Sequence, residues 1–210
     1  MRVPYRIPGS NQTQWVDLYT RLAFERIIFL NEAIGDNVAN SVVAFMLYLE
    51  SEDQTKPISL YINSSGDQRL AGMASSLSAG MAIYDTMQLI KSPIHTICMG
   101  QAVGSAAMLL SSGVKGFRAS LPHAEIVLNP SFNRTRGQAS DIQIYAKRVL
   151  EDKHTLINLL SRNTGQPVEK IAKDLDRTFY LTPHQAQEYG LIDRVVESTK
   201  HLRPVAAALT

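Results

Sequence analysis

Apolar residues along this chain alternate between two patterns: short, unbroken, largely β-branched runs and longer stretches with apolar positions every three or four residues. The runs RIIFL (26–30), ISLYI (58–62) and IHTICM (94–99) read as strands. Between the first two, residues 37–51 place Val38, Val42, Phe45, Met46 and Leu49 at helical spacing. A second helical pattern covers 80–90, and AVGSAAMLLSSG (102–113) reads as a helix of small residues stopped by Gly113. Strand and helix in alternation predict an α/β fold with crossover connections around a parallel sheet. Two further short strands, 117–121 and 125–129, are expected on either side of a turn at Pro122.

After Asn129 the character changes. SFNRTRGQAS is polar, and 141–165 then forms a long helical pattern with Ile142, Tyr145, Val149, Leu156, Leu159 and Leu160 on one side, Ser140 as a possible cap and Gly165 as terminator. The pattern alone leaves open whether this helix projects toward a partner or folds back on its own domain. Thr182, Pro183, Gln185 and Gly190 spell a short capped helix. The first 16 residues, with two prolines and several amides, read as an irregular arm before a domain that starts near Asp17, and the tail from Glu197 carries no period. The stretch 64–81 is rich in small residues, as though extra residues had been inserted, near 67–78, where a strand turns into a helix.

Composition narrows the function classes. With 210 residues and 45% hydrophobic content, one domain with a sizeable core is expected. The formal charge of +2 is spread without long runs, the mild clusters being basic at 133–136 and acidic at 50–53, so a nucleic-acid footprint is not expected. Cys98, the single cysteine, excludes an internal disulfide. The N-terminal residues show no apolar signal core, which leads to the expectation of a cytoplasmic protein. Metal-ligand spacing, a phosphate loop and a nucleotide fingerprint are all missing, so no cofactor is expected.

Several motifs in order carry a family resemblance. YINSSG, then AGMAIYDTMQLIKSPIHTICMGQA, LPHAEIVLNPS, GQASDIQIYAKRVL, TGQ and FYLTPHQAQEYGLID resemble the proteolytic subunit of the Clp protease, from about Val3 to Val196. The resemblance implies a crotonase-like ClpP fold: an axial arm at 1–16, a core domain at 17–196 with a projecting handle at 130–164, and a tail at 197–210. It also implies seven-membered rings stacked into a tetradecamer and fed by a Clp ATPase unfoldase. Carried over position by position, the family's serine falls on Gly104, its histidine on Asn129 and its aspartate on Thr178.

Acyl transfer needs an oxygen nucleophile, a base to take its proton and a carboxylate to orient that base. Glycine has no side-chain oxygen, and an asparagine amide takes up no proton near neutral pH. On this ground the chain is expected not to be an enzyme, resembling the ClpR type of cyanobacteria and plastids, a structural subunit sharing rings with active ClpP-type subunits in the cytoplasm or the plastid stroma. Ser105 is turned about 100° away from the nucleophile position on the helix, and a hydroxyl bonded to a backbone carbonyl is expected there. His123 is expected in a surface turn, and Asp174 and Asp176 as solvated or ion-paired carboxylates.

The oxyanion-binding positions fall on Asp67 and Ser105; Asp67 would either oppose an anionic intermediate or face solvent in an enlarged loop. Tyr61, Ile97, Met99 and Leu121 match apolar positions that line the family's ATPase-docking cleft, while Ala119 stands where the family often carries an aromatic ring. Asp141 and Arg177 match a pair formed between rings, and Arg134 and Arg136 could line the chamber. Two alternatives remain: a serine peptidase using Ser105, and a crotonase-type enzyme acting on a CoA thioester.

Overall fold

The computed structural model describes residues 1–6, 12–67, 77–129 and 137–197. The chain opens with β1 (Arg2–Arg6) and β2 (Thr13–Asp17), paired antiparallel with Pro4 opposite Trp15. The segment read as an irregular arm is therefore a pair of strands. Most of their side chains stay exposed, so no apolar alternation betrays them; the backbone ladder holds them, helped by Tyr5 against the Phe24 ring at 5.3 Å. Asp17 then caps α1 (Leu18–Phe24), its carboxylate accepting from the Tyr19 N–H.

The α/β alternation follows as expected: β3 (Ile27–Leu30), α2 (Asp36–Glu52), β4 (Ile58–Ser64), α3 (Ser78–Leu89), β5 (Ile94–Val103), α4 (Ser105–Ser111), β6 (Arg118–Ser120) and β7 (Glu125–Leu128). Then come α5 (Ala139–Thr164), α6 (Val168–Asp174), β8 (Phe179–Leu181), α7 (Pro183–Tyr189) and β9 (Arg194–Val195). Strands β3, β4, β5, β6 and β9 lie side by side and parallel. The long β5 forks: its first half pairs with β6 and its second half with β7, which in turn takes β8 antiparallel.

That fork explains one departure from the sequence pattern. The strand expected at 94–99 continues to Val103, because Gln101 to Val103 pair with Glu125 to Val127, and the following helix starts only at Ser105. Arg26 stands just before β3 at φ 61; its guanidinium donates to the carbonyls of Leu49, Lys56 and Pro57 and so ties the end of α2 to the sheet.

Side chains alternate across the sheet. Ile28, Leu30, Ile58, Leu60, Ile62, Ile94 and Cys98 join the main core with Val42, Met46, Ile83 and all three of Met108 to Leu110. On the other face Ile97, Ala119 and Val196 form a second, smaller cluster flanked by Tyr61, Met99 and Leu121.

The long helix resolves both ways. Leu156, Ile157 and Leu160 near the end of α5 are buried, whereas Ile144 is 71% and Leu150 58% exposed, so the first half stands off the domain. Its start also differs: Gln138, without a side-chain bond, is the cap, and Ser140 lies inside the first turn. Gly165 ends it in the left-handed region, as expected.

Candidate active site and docking face

The C-terminal ends of β5 and β7 build the site. At the close of β5 the chain turns directly into α4 through Gly104, at φ 57 and ψ −116. Its N–H donates to the Val127 carbonyl at 2.8 Å, and its own carbonyl accepts from Met108 N–H at 3.1 Å. A Cβ on Gly104 would stand 2.5 Å from Asn129 Oδ1. The two positions are thus in direct contact, with the asparagine amide seated where a side chain at 104 would begin. Thr178, exposed, lies one step beyond the Leu128–Phe179 pair that ends the β7–β8 ladder, and so comes to the same end of the sheet. Three positions far apart in sequence thus come to one end of the sheet: a glycine, an asparagine and a threonine.

Ser105 is fully buried against α3: a Cβ on Gly80 would meet Ser105 Cβ at 3.0 Å and Oγ at 3.5 Å. The expected bond to a backbone carbonyl is not formed, and Ser105 Oγ has no hydrogen-bond partner among the described residues. The first helical turn packs this side chain against Gly80 instead. Asp67 adds a parallel bridge to Ile34, and its Oδ1 is buried, 3.8 Å from the same point on Gly80. That oxygen does not face solvent. Gly66, just before it, holds φ +83 with its Cβ direction 2.4 Å from the Val103 carbonyl oxygen, a close approach only glycine permits.

The other expected residues fall as follows. His123 sits exposed in the turn before β7. Asp174 pairs with Lys170 at 3.0 Å and accepts from the Tyr189 hydroxyl at 2.7 Å, and Asp176 pairs with Lys153 at 2.7 Å, so both carboxylates are ion-paired. Cys98 packs fully buried, its thiol pushed up to about 12 by that burial. Tyr61, Ile97, Met99 and Leu121 do come together, on the second face of the sheet, where Phe29 stacks on Tyr61 at 5.3 Å.

Asp141 and Arg177 are both exposed and form no ion pair with each other among the described residues. Arg134, Arg136, most of the 67–78 insert and all but the first residue of the 197–210 tail lie outside the described residues. Among the described residues no group of three His, Cys, Asp or Glu side chains could hold a metal, and no helix is long and apolar enough to cross a membrane.

Sequence reasoning missed α1, α6, β8 and β9, all short. It also missed the forked β5, whose only signal was Gly100, a glycine in a strand pattern at φ +91.

Residues 10–199 match the family described as Clp protease. The chain is 52% identical over 195 residues to the ATP-dependent Clp protease proteolytic subunit 3 of Synechococcus sp. (strain CC9605), covering 92% of this chain and 94% of that protein. It is 52% identical over 202 residues to a putative ATP-dependent Clp protease proteolytic subunit-like protein of Synechocystis sp., covering 90% of each. With the proteolytic subunit 1 of Gloeobacter violaceus it shares 48% over 196 residues, 93% of this chain and 95% of that one.

These relatives correct one expectation. Gly104, Asn129 and Thr178 led to the reading that the chain is not an enzyme; proteins about half identical over nine-tenths of the chain are named proteolytic subunits, which points to a peptidase, and that reading is withdrawn. Nothing in these names speaks for a CoA-thioester enzyme. By the match of its sequence over most of its length, the chain belongs to the Clp protease family.

Proposed function

We propose that this chain is a subunit of an ATP-dependent Clp protease in the cytoplasm, built into mixed seven-membered rings beside ClpP-type subunits, two rings stacking into a tetradecamer fed by a Clp ATPase. The observation that carries this reading is a pair of apolar features on a Clp-family chain. The half-buried Tyr61, Met99 and Leu121 side chains flank a buried cluster on the second face of the sheet, and the first half of α5 exposes Ile144 and Leu150 away from the domain. Exposed apolar surface of this kind is what protein interfaces bury. In this assembly the chain supplies wall, the strand pair at the axial entrance and a face for the unfoldase. Asp141 and Arg177 set the register between rings, as rim charges do, at about 1 kcal/mol or less.

Co-expression with a ClpP-type subunit, followed by native mass spectrometry, tests the assembly: a mixed tetradecamer is expected, and a chain that stays monomeric would overturn it. Met99→Asp should lower unfoldase affinity by about tenfold, or 1.4 kcal/mol, without changing the assembled mass. Equal affinity would remove the docking role.

A second reading places hydrolysis in this chain on Ser105, and one observation favours it: the Ser105 hydroxyl has no hydrogen-bond partner among the described residues. A fluorophosphonate that labels the wild-type chain but not Ser105→Ala would select it.

A further inference from the structure

One buried titratable side chain lies on the docking face and plays no part in the account above. His95, the second residue of β5, shares the face of Ile97 and Met99, two and four residues on. It is 6% exposed, its ring lies on Phe117 with centroids 4.2 Å apart and planes 5° from parallel, and its Nδ1 has no hydrogen-bond partner among the described residues. The Arg194 guanidinium stands 6.0 Å from the centre of the same Phe117 ring.

The carboxylate at the neighbouring edge of β6 is not free for the imidazole. β4 places Ser59 opposite His95; at the edge of β6, Arg118 and Asp193 are bound to each other at 2.6 Å, so Asp193 is already committed to a cation. A proton on His95 would therefore sit in a buried place beside a fixed positive charge. Burial first, and Arg194 second, hold this histidine below its ordinary range.

What such a proton would act on is the shortest strand of the sheet. β9 has two residues and pairs with β6 through Ala119–Arg194 and Ser120–Val195; just before it Asp193 N–H donates to the Arg118 carbonyl, and just after it Val196 N–H donates to the Ser120 carbonyl, both at 2.8 Å. It carries Arg194 at one end and, next to the other, Val196, which packs with Ile97 and Ala119.

We propose that His95 is an acid-sensitive latch for the docking face: neutral, it lets Phe117 and Arg194 keep β9 and Val196 closed over Ile97 and Ala119; protonated, it repels Arg194 and releases that edge. Weaker unfoldase docking at low pH then follows, and this part alone rests on the function proposed above. The sign is set by linkage. The released histidine takes a proton near its ordinary value of about 6.5 and the latched one only lower, so release gains up to about tenfold per pH unit between the two.

Amide hydrogen exchange on the full chain, corrected for the intrinsic pH dependence, reads the latch directly. Between pH 7.5 and pH 5.5 the Val195 and Val196 amides of the wild type should exchange about fivefold to tenfold faster relative to the core amides of β4. In His95→Phe, which keeps the ring stack without the charge, they should not, and Arg194→Gln should show a smaller rise; His95→Gln serves if the phenylalanine variant fails to fold. No acceleration in the wild type, or the same acceleration in the His95 variants, overturns the proposal. Unfoldase affinity measured at the same two pH values should fall in the wild type only. If the unfoldase binds at neither pH the function proposed above fails, and the exchange rates still decide the latch.

Discussion

Gly104 shows how much one position can carry. Its backbone, φ 57 and ψ −116, is one that a residue with a Cβ adopts only under strain, and the Asn129 amide occupies the space beside it. Gly104→Ala should therefore cost about 1–3 kcal/mol, measured as a lower urea midpoint at unchanged slope. In an Asn129→Ala background the steric part disappears and the cost should shrink; equal costs in both backgrounds would show that the contact contributes nothing. The residues at 104, 129 and 178 are read directly from the sequence, but that Asn129 meets Gly104 while Ser105 packs on Gly80 is read only from the structure. The unpartnered state of the Ser105 hydroxyl was not legible. It depends on Gly80, 25 positions away in sequence, packing against it.

At the scale of elements, the junction of β6 with the segment leading into β9 rests on one buried ion pair. Asp193 Oδ2 accepts from the N–H groups of Gly116 (2.7 Å) and Arg118 (3.0 Å) and from Arg118 Nε (3.0 Å), while Oδ1 takes Nη2 at 2.6 Å. Burial alone would raise the Asp193 carboxyl, but Arg118 and these N–H groups outweigh it and hold it below its usual value. A depressed carboxylate contributes stability that is fully present above the unfolded pKa, about 3.9, and is lost as pH falls through the folded one.

Wild-type unfolding free energy should thus fall more steeply below about pH 4 than that of Asp193→Asn, as followed by urea titrations at several pH values. Asp193→Ala leaves Arg118, with a side chain only 5% exposed, without its counter-charge, and should cost about 3–5 kcal/mol. The capping box of α7 was readable residue by residue, since Thr182, Pro183 and Gln185 act within one turn of each other. The Arg118–Asp193 pair joins residues 75 apart and left no local mark.

For the whole molecule, the divided helix α5 matters most. Its end is clamped into the core by Leu156, Ile157 and Leu160, which gives its exposed first half a fixed base, the base the proposed assembly needs if this half is to reach a second ring. Replacing Ile144 and Leu150 together by glutamate should split a tetradecamer into single rings, seen as half the mass. The stability of the ring itself should change by no more than about 0.5 kcal/mol per site, as for ordinary surface substitutions. A tetradecamer that persists would show that another surface joins the rings.

Sequence by itself determined the alternation of strand and helix from β3 to β7, the parallel α/β class, the capping box of α7, the Gly165 end of α5 and the identities at the site, because hydrophobic period, caps and motifs act over a few residues and are written along the chain. Tertiary structure alone decided the rest: the pairing of the first two strands, the fork of β5, the contact of Asn129 with Gly104, and the stack of His95 on Phe117 beside Arg194. Each of these joins residues that no local period links. Their energy comes from packing and backbone pairing between distant segments, which exist only once the sheet has closed.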